Sequence, residues 1–128
     1  MIRLKRVYDP PEPADGARYL VERLWPRGMK KERAALTAWL KEVSPSPELR
    51  KWYSHDPEKW PEFQKRYRQE LKDEAHKPAL EELRKAARKA TITLVYAAHD
   101  EERNSAAVLK QVLAGGRGKI KVAGQKTI

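Results

Sequence analysis

The 128-residue chain contains no cysteine. That absence excludes a thiol nucleophile, a thiolate metal site and a disulfide framework, and it suits a reducing compartment, so a cytoplasmic location is expected. Glycine is sparse, at six residues. No Walker loop, dinucleotide-binding glycine pattern, nucleophile elbow or known nucleic-acid module occurs. Paired-histidine zinc spacings are missing too, so neither a metal nor a cofactor is expected. Long apolar runs are absent: nothing approaches the ~20 residues of a membrane span. The start, Met1-Ile2-Arg3-Leu4-Lys5-Arg6, alternates charged and apolar residues and lacks the apolar block of a signal peptide.

What is abundant is positive charge. Lys and Arg number 28 against 18 Asp and Glu, a formal charge of +10, which makes an anionic small molecule, a nucleic acid or an acidic protein a candidate partner. Arg117, Lys119, Lys121 and Lys126 lie in a closing stretch without acids. Residues 115–128 therefore read as a basic tail or edge strand beyond a single α/β domain at residues 1–114. A composition rich in Glu, Lys and Arg also suits a thermophile's protein, an origin for the charge that needs no partner.

Periodicity supplies the elements. Ile2 to Tyr8 alternates as a first strand, stopped by Asp9-Pro10-Pro11-Glu12-Pro13. Arg18 to Trp25 reads as a second strand, apolar on both faces and so an inner strand. Leu36, Trp39, Leu40 and Val43 follow the i, i+3, i+4, i+7 pattern of an amphipathic helix. Ser46-Pro47 and Asp56-Pro57 are cap-then-proline signals, the first opening a short helix with Leu49 and Trp52 inside. The second opens a longer helix with the stripe Trp60, Phe63, Tyr67 and Leu71, and Leu80, Leu83 and Ala87 mark another. Thr91 to Ala98 reads as a third, buried strand. Asp100 then caps a helix carrying Glu101 and Glu102 in its first turn, which Gly115-Gly116 ends. Strands separated by helices predict a short, mostly parallel sheet covered by helices, a three-layer, Rossmann-like α/β fold.

Ligands of such sheets collect beyond the carboxyl ends of the strands. The exit of the second strand offers Glu22, Arg23, Trp25 and Arg27, and that of the third offers Tyr96, His99, Asp100 and Asn104. Arg18, Arg23, Arg27 and Arg50 are candidates for anion recognition, because a guanidinium fork holds carboxylate or phosphate bidentately and keeps its charge when partly buried. Their structural alternative is internal pairing of Arg23 with Glu22 or Asp100, and of Arg50 with the Trp52 or Trp25 ring. Glu22, His99 and Asp100 are candidate acid–base groups, with bland counterparts as ion-pair partner, loop residue and helix cap. Trp25 is the indole placed to wall a pocket, and Asn104 to orient a ligand by hydrogen bonds.

The segments Asp15-Gly16-x-Arg18, Leu24-Trp25-Pro26-Arg27-Gly28, Trp39-Leu40-Lys41, Ser46-x-Glu48-Leu49-Arg50, Tyr67-x-x-Glu70-Leu71 and Leu94-Val95-Tyr96-Ala97-Ala98 with Asn104 closely resemble the YeaO-like branch of a bacterial and archaeal family of unknown function, DUF488. The likeness runs from about Ile2 to Leu113. It implies the domain extent and an α/β fold, and carries no settled activity. It also implies that larger relatives have aspartate where Glu22 stands and a Cys-His-Arg group near Asn104-Ser105-Ala106, which this chain lacks. A cysteine-dependent reaction does not transfer to it. Where YeaO-like members place histidine after the asparagine, this chain has Ser105.

The expectation is a protein that binds an anionic small molecule, a nucleotide or phosphorylated metabolite, at the strand exits. Arg23, Arg27 and Arg50 would hold the anion, and Glu22 or Asp100 would accept a proton if chemistry occurs. The alternative is a non-enzymatic nucleic-acid-binding or interaction protein acting through its basic surface and tail. Oligomeric state is not legible.

Overall fold

The computed structural model describes residues 1–115. Its strands are β1 (Ile2–Arg6), β2 (Ala17–Leu20), β3 (Ala38–Trp39) and β4 (Ile92–Tyr96), and its α-helices are α1 (Lys31–Ala34), α2 (Pro47–Tyr53), α3 (Trp60–Glu70), α4 (Lys77–Lys89) and α5 (Ser105–Leu113). The sheet runs β1-β4-β2-β3 with every pair parallel. This is the expected parallel α/β sheet. All five residues of β4, a β-branched and apolar run between two neighbours, are buried.

The two faces are covered unequally. Ile92, Leu94 and Tyr96 of β4 and Tyr19 of β2 join one cluster with residues of α2, α3, α4 and α5. Val95, pointing the other way as strand alternation requires, packs with Val7, Met29 and Ala34. That second face is roofed by the single turn of α1 and its flanking loops rather than by a full helical layer. Beneath α1 lies a polar lock. Asp15 is fully buried and takes Arg18 Nη1 at 2.7 Å, Lys5 Nζ at 3.2 Å and Arg3 Nη1 at 3.3 Å. Arg18 Nε and Nη2 also donate to the Ala34 carbonyl, at 3.1 and 2.9 Å. The anion that Arg18 holds is thus internal.

The local capping signals produce the expected elements. Ser46 accepts a hydrogen bond from Leu49 N–H with Pro47 at the first helical position, and Asp56 accepts from Glu58 N–H ahead of α3. Trp60, Phe63, Tyr67 and Leu71 are all buried, each stabilising the fold by about 1.5–3 kcal/mol through removal of apolar surface from water.

Three expectations are corrected. No helix spans residues 36–43: Ala38 and Trp39 pair with Tyr19 and Leu20 as the edge strand, followed by a 3-10 turn over Lys41–Val43. The second strand stops at Leu20 rather than running to Trp25. Asp100 does not cap α5; the cap is Asn104, which accepts from Ala107 N–H. The Lys119–Val122 segment, read as edge strand or tail, lies outside the described residues.

Candidate functional site

Chain direction opens a crevice. From β2 the chain leaves toward α1 on one face, and from β4 it leaves toward α5 on the other. Since β2 and β4 are neighbours, with Leu20 opposite Val95, their carboxyl ends diverge at a switch in the order of the sheet, the place where open α/β sheets hold ligands. A cavity of about 470 Å³ lies there. Glu22 and Arg23 enter it from β2, Ala97 to Asp100 and Arg103 to Ser105 from β4, and Arg50, Tyr53 and His55 from α2 and its end.

Glu22 is fixed at two points. Its carbonyl accepts the Trp39 indole N–H at 2.6 Å and its Oε2 accepts Ala97 N–H at 2.9 Å. Burial raises its carboxyl above the ordinary value, and the Ala97 hydrogen bond and the charges of Arg50 and His55 only partly oppose this. Asp100 behaves oppositely. Burial disfavours its charge, but the N–H groups of Arg103 and Glu102 and the Arg103 guanidinium outweigh burial and hold the carboxyl below the ordinary range. Those bonds are 2.9 Å from each N–H and 3.1 Å from Arg103 Nη1. Asp100 is therefore an ionised turn-former, whereas burial makes Glu22 hold its proton more readily than an ordinary glutamate.

The guanidinium groups differ in what they already hold. Arg23 donates to the carbonyls of Pro45 and Ser44, at 3.2 and 3.3 Å, not to Glu22 or Asp100. Arg103 pairs with Asp100. Arg50 is exposed and has no side-chain partner among the described residues; the ring of Trp52 is covered by Arg66 at 4.1 Å instead. Asn104 spends its amide inside the chain, Oδ1 on Ala107 N–H and Nδ2 on the Asp100 carbonyl. His99 is exposed, its Nδ1 lying 3.5 Å from Arg6 Nη2.

Of the residues singled out from sequence, Glu22, Arg23, Arg50, His99, Asp100 and Asn104 come together in the cavity. Trp25 and Arg27 do not. Trp25 donates to the Met29 carbonyl at 2.7 Å and meets Trp39 edge-on, in a separate groove beside β3. Arg27 is exposed, and its carbonyl accepts the Tyr8 hydroxyl. Both are displaced because β2 ends early and the chain bends away after Glu22.

Sequence reasoning missed Arg103, Tyr53 and His55. Arg103 was discoverable, falling between Asp100 and Asn104. His55 was not: with Ser54 it forms a pair of consecutive left-handed residues, φ 45° and 58°, that turns the chain off α2 and into the cavity wall. Two such non-glycine residues in succession store backbone energy, which proteins concentrate at binding sites. Tyr53 stacks on Phe63 at 4.4 Å between ring centres, giving the cavity an aromatic side. Among the described residues no three His, Asp or Glu side chains gather as a metal-ligand cluster, and no described helix is long and apolar enough to cross a membrane.

Comparison with known proteins agrees with the resemblance of the motifs. An uncharacterized protein of Mycobacterium tuberculosis (strain H37Rv) is 46% identical over 114 residues, covering 89% of this chain and 94% of its own, as is an uncharacterized protein of Mycobacterium bovis. The uncharacterized protein YeaO of Escherichia coli (strain K12) is 44% identical over 108 residues, covering 84% and 92%. No solved structure gives a significant match. A family model described as the inactive DUF488-N3 subclade matches residues 1–122, and the chain therefore belongs to the DUF488 family as a YeaO-like member.

Proposed function

We propose that this protein binds an anionic small molecule, a nucleotide or phosphorylated metabolite, in the cavity at the carboxyl ends of β2 and β4. The observation that carries the reading is Arg50: a guanidinium on the wall of the cavity that makes no side-chain hydrogen bond or salt bridge among the described residues, its charge acting only at longer range on the Glu22 carboxyl. Guanidinium donors that no protein group occupies, on the wall of a concave, partly apolar cavity, suit a phosphate or carboxylate, which they hold in bidentate fashion. Arg23 and Arg103 add positive charge, and the start of α5, at Asn104 and Ser105, brings the positive end of a helix dipole to the same wall.

Binding without turnover is the form of this proposal that the family description favours, since the matching subclade is described as inactive. Glu22 then serves as a ligand acceptor, and Asp100 as scaffold. The experiment is a thermal-shift screen of the full chain against nucleotides, phosphorylated metabolites and short oligonucleotides at low and high salt. A small anion should raise the melting temperature at both salts, and the shift should vanish in Arg50→Ala. Stabilisation only by oligonucleotides, erased by salt, would instead favour nucleic-acid binding through the basic surface.

A further inference from the structure

Trp25 and Arg27, which the cavity leaves out, belong to a stretch whose charge the fold does not use. From Arg27 to Arg33 the chain carries Arg27, Lys30, Lys31 and Arg33 against one acid, Glu32. All four cations are exposed, and none makes a side-chain hydrogen bond, salt bridge or ring contact among the described residues. By contrast, Arg3, Lys5 and Arg18 are matched by Asp15, and Arg66, Lys77, Arg88 and Arg103 pair with other carboxylates. The ion-pair networks through which thermophile proteins use charge do not account for an unpaired run.

This basic run borders an aromatic groove. Trp25, Trp39 and Lys31 line a concavity of about 610 Å³ beside β3. Both rings are half-buried, and their indole N–H groups are already spent, on the Met29 and Glu22 carbonyls. The first of those bonds ties the Trp25 ring to the middle of the basic run. The rings meet edge-on at 5.3 Å between centres, and Lys41 Nζ stands 4.2 Å from the centre of the Trp39 ring. With their N–H groups occupied, the indoles offer a ligand π-surface rather than hydrogen bonds. Fixed aromatic surface beside unpaired cations suits single-stranded nucleic acid, whose bases stack on rings whatever their identity while its phosphates meet the cations. A partner's β-strand fits less well, because the two residues of β3 provide few main-chain bonds for strand addition. A duplex also fits less well: its bases keep their faces stacked on one another, and the four-residue α1 is short for a helix that reads the major groove.

We infer that the groove beside β3 is a second binding site, separate from the cavity, for single-stranded nucleic acid without sequence preference. A base stacks against Trp25 and Trp39, and adjoining phosphates meet Lys31 and the flanking Arg27, Lys30 and Arg33.

Fluorescence anisotropy of the full chain tests this with labelled probes of one length, about twelve nucleotides, within the footprint of single-strand binders. The probes are a thymidine strand, the same backbone with abasic sites throughout, and the duplex of the thymidine strand with its complement. The thymidine strand should bind wild type at least about fivefold more tightly than the abasic strand, the worth of one stacked base, and more tightly than the duplex. Lys30→Gln, Lys31→Gln and Arg33→Gln together should weaken the thymidine strand and make its salt dependence shallower by about 2 in log–log slope, as loss of three phosphate contacts requires. These side chains are exposed and unpaired, so their replacement spares the fold. Trp25→Phe should reduce the preference for thymidine over abasic strand, and Arg50→Ala should bind the thymidine strand as wild type does.

The inference is overturned if the abasic strand or the duplex binds wild type as tightly as the thymidine strand, or if no probe binds at low salt. It is equally overturned if the triple variant keeps wild-type affinity and salt dependence, if Trp25→Phe keeps the full preference, or if Arg50→Ala loses the strand. Displacement of the strand by an equal concentration of a polyglutamate peptide would assign the groove to an acidic protein instead. The abasic comparison uses wild-type protein and so survives any folding defect in a variant. The groove and the cavity share no lining residue, so failure here leaves the anion-binding reading standing.

Discussion

Glu22 and Gly16 are the residues at which single atoms decide most. Because burial raises the Glu22 carboxyl in the folded state, folding favours its neutral form. Its contribution is full below the unfolded value near 4.5 and is lost as pH rises through the higher folded value. Glu22→Gln should therefore melt above wild type at neutral pH, and the gap should close on acidification, as scanning calorimetry from pH 4 to 8 would record. Gly16 is a different constraint. Its φ is 63°, and a Cβ built there would lie 2.0 Å from the Thr91 carbonyl oxygen, so Gly16→Ala must displace the entry of β2 from that of β4. A loss of about 2 kcal/mol or more is expected in denaturant titration; an unchanged midpoint would contradict that close approach.

Elements show where sequence reading succeeds and where it stops. The start of α2 was legible because Ser46 and Pro47 act on their own helix, and α3 was legible because Trp60, Phe63, Tyr67 and Leu71 repeat at helical spacing. Residues 36–43 carry the same spacing yet form an edge strand and a turn. There the ladder to β2 and the Trp39 indole bond to Glu22 override the local pattern, as contacts between distant segments can. Asp100 and Asn104 are both good caps by type, and only the fold decides that the carboxylate closes a turn and the amide caps α5. The crevice was legible because it follows from the order of strands and helices, which located Glu22, Arg23, His99 and Asp100. His55 depends on how α2 ends. Since its left-handed backbone suits glycine, His55→Gly should leave the melting temperature within about 3 °C of wild type or raise it, consistent with at most ~1 kcal/mol of relief. Binding of a small anion should weaken in the same variant, so a large loss of stability would sink the idea that His55 is held there for the cavity.

At the scale of the molecule, two charged systems sit in different places and do different work. The Asp15 lock is internally matched, by Arg18, Lys5 and Arg3. Burial opposes the Asp15 charge, but the Glu12 N–H and the Lys5 and Arg18 side chains hold its carboxyl below the ordinary 3.8. That stability is complete above the unfolded value and fades as pH falls through the lower folded one. Asp15→Asn should cost roughly 3 kcal/mol at neutral pH, the scale of breaking a buried ion pair, and proportionately less in strong acid, measurable by urea titration at each pH. The cavity at the diverging ends of β2 and β4 is the opposite case, with Arg50 making no side-chain hydrogen bond or salt bridge among the described residues. The measurement that tests this account most directly is the melting temperature of wild type and Arg50→Ala with a panel of phosphorylated small molecules at high salt. The account predicts a salt-resistant rise in wild type that is absent in a stably folded Arg50→Ala; equal rises in both proteins, or none in wild type, would contradict it.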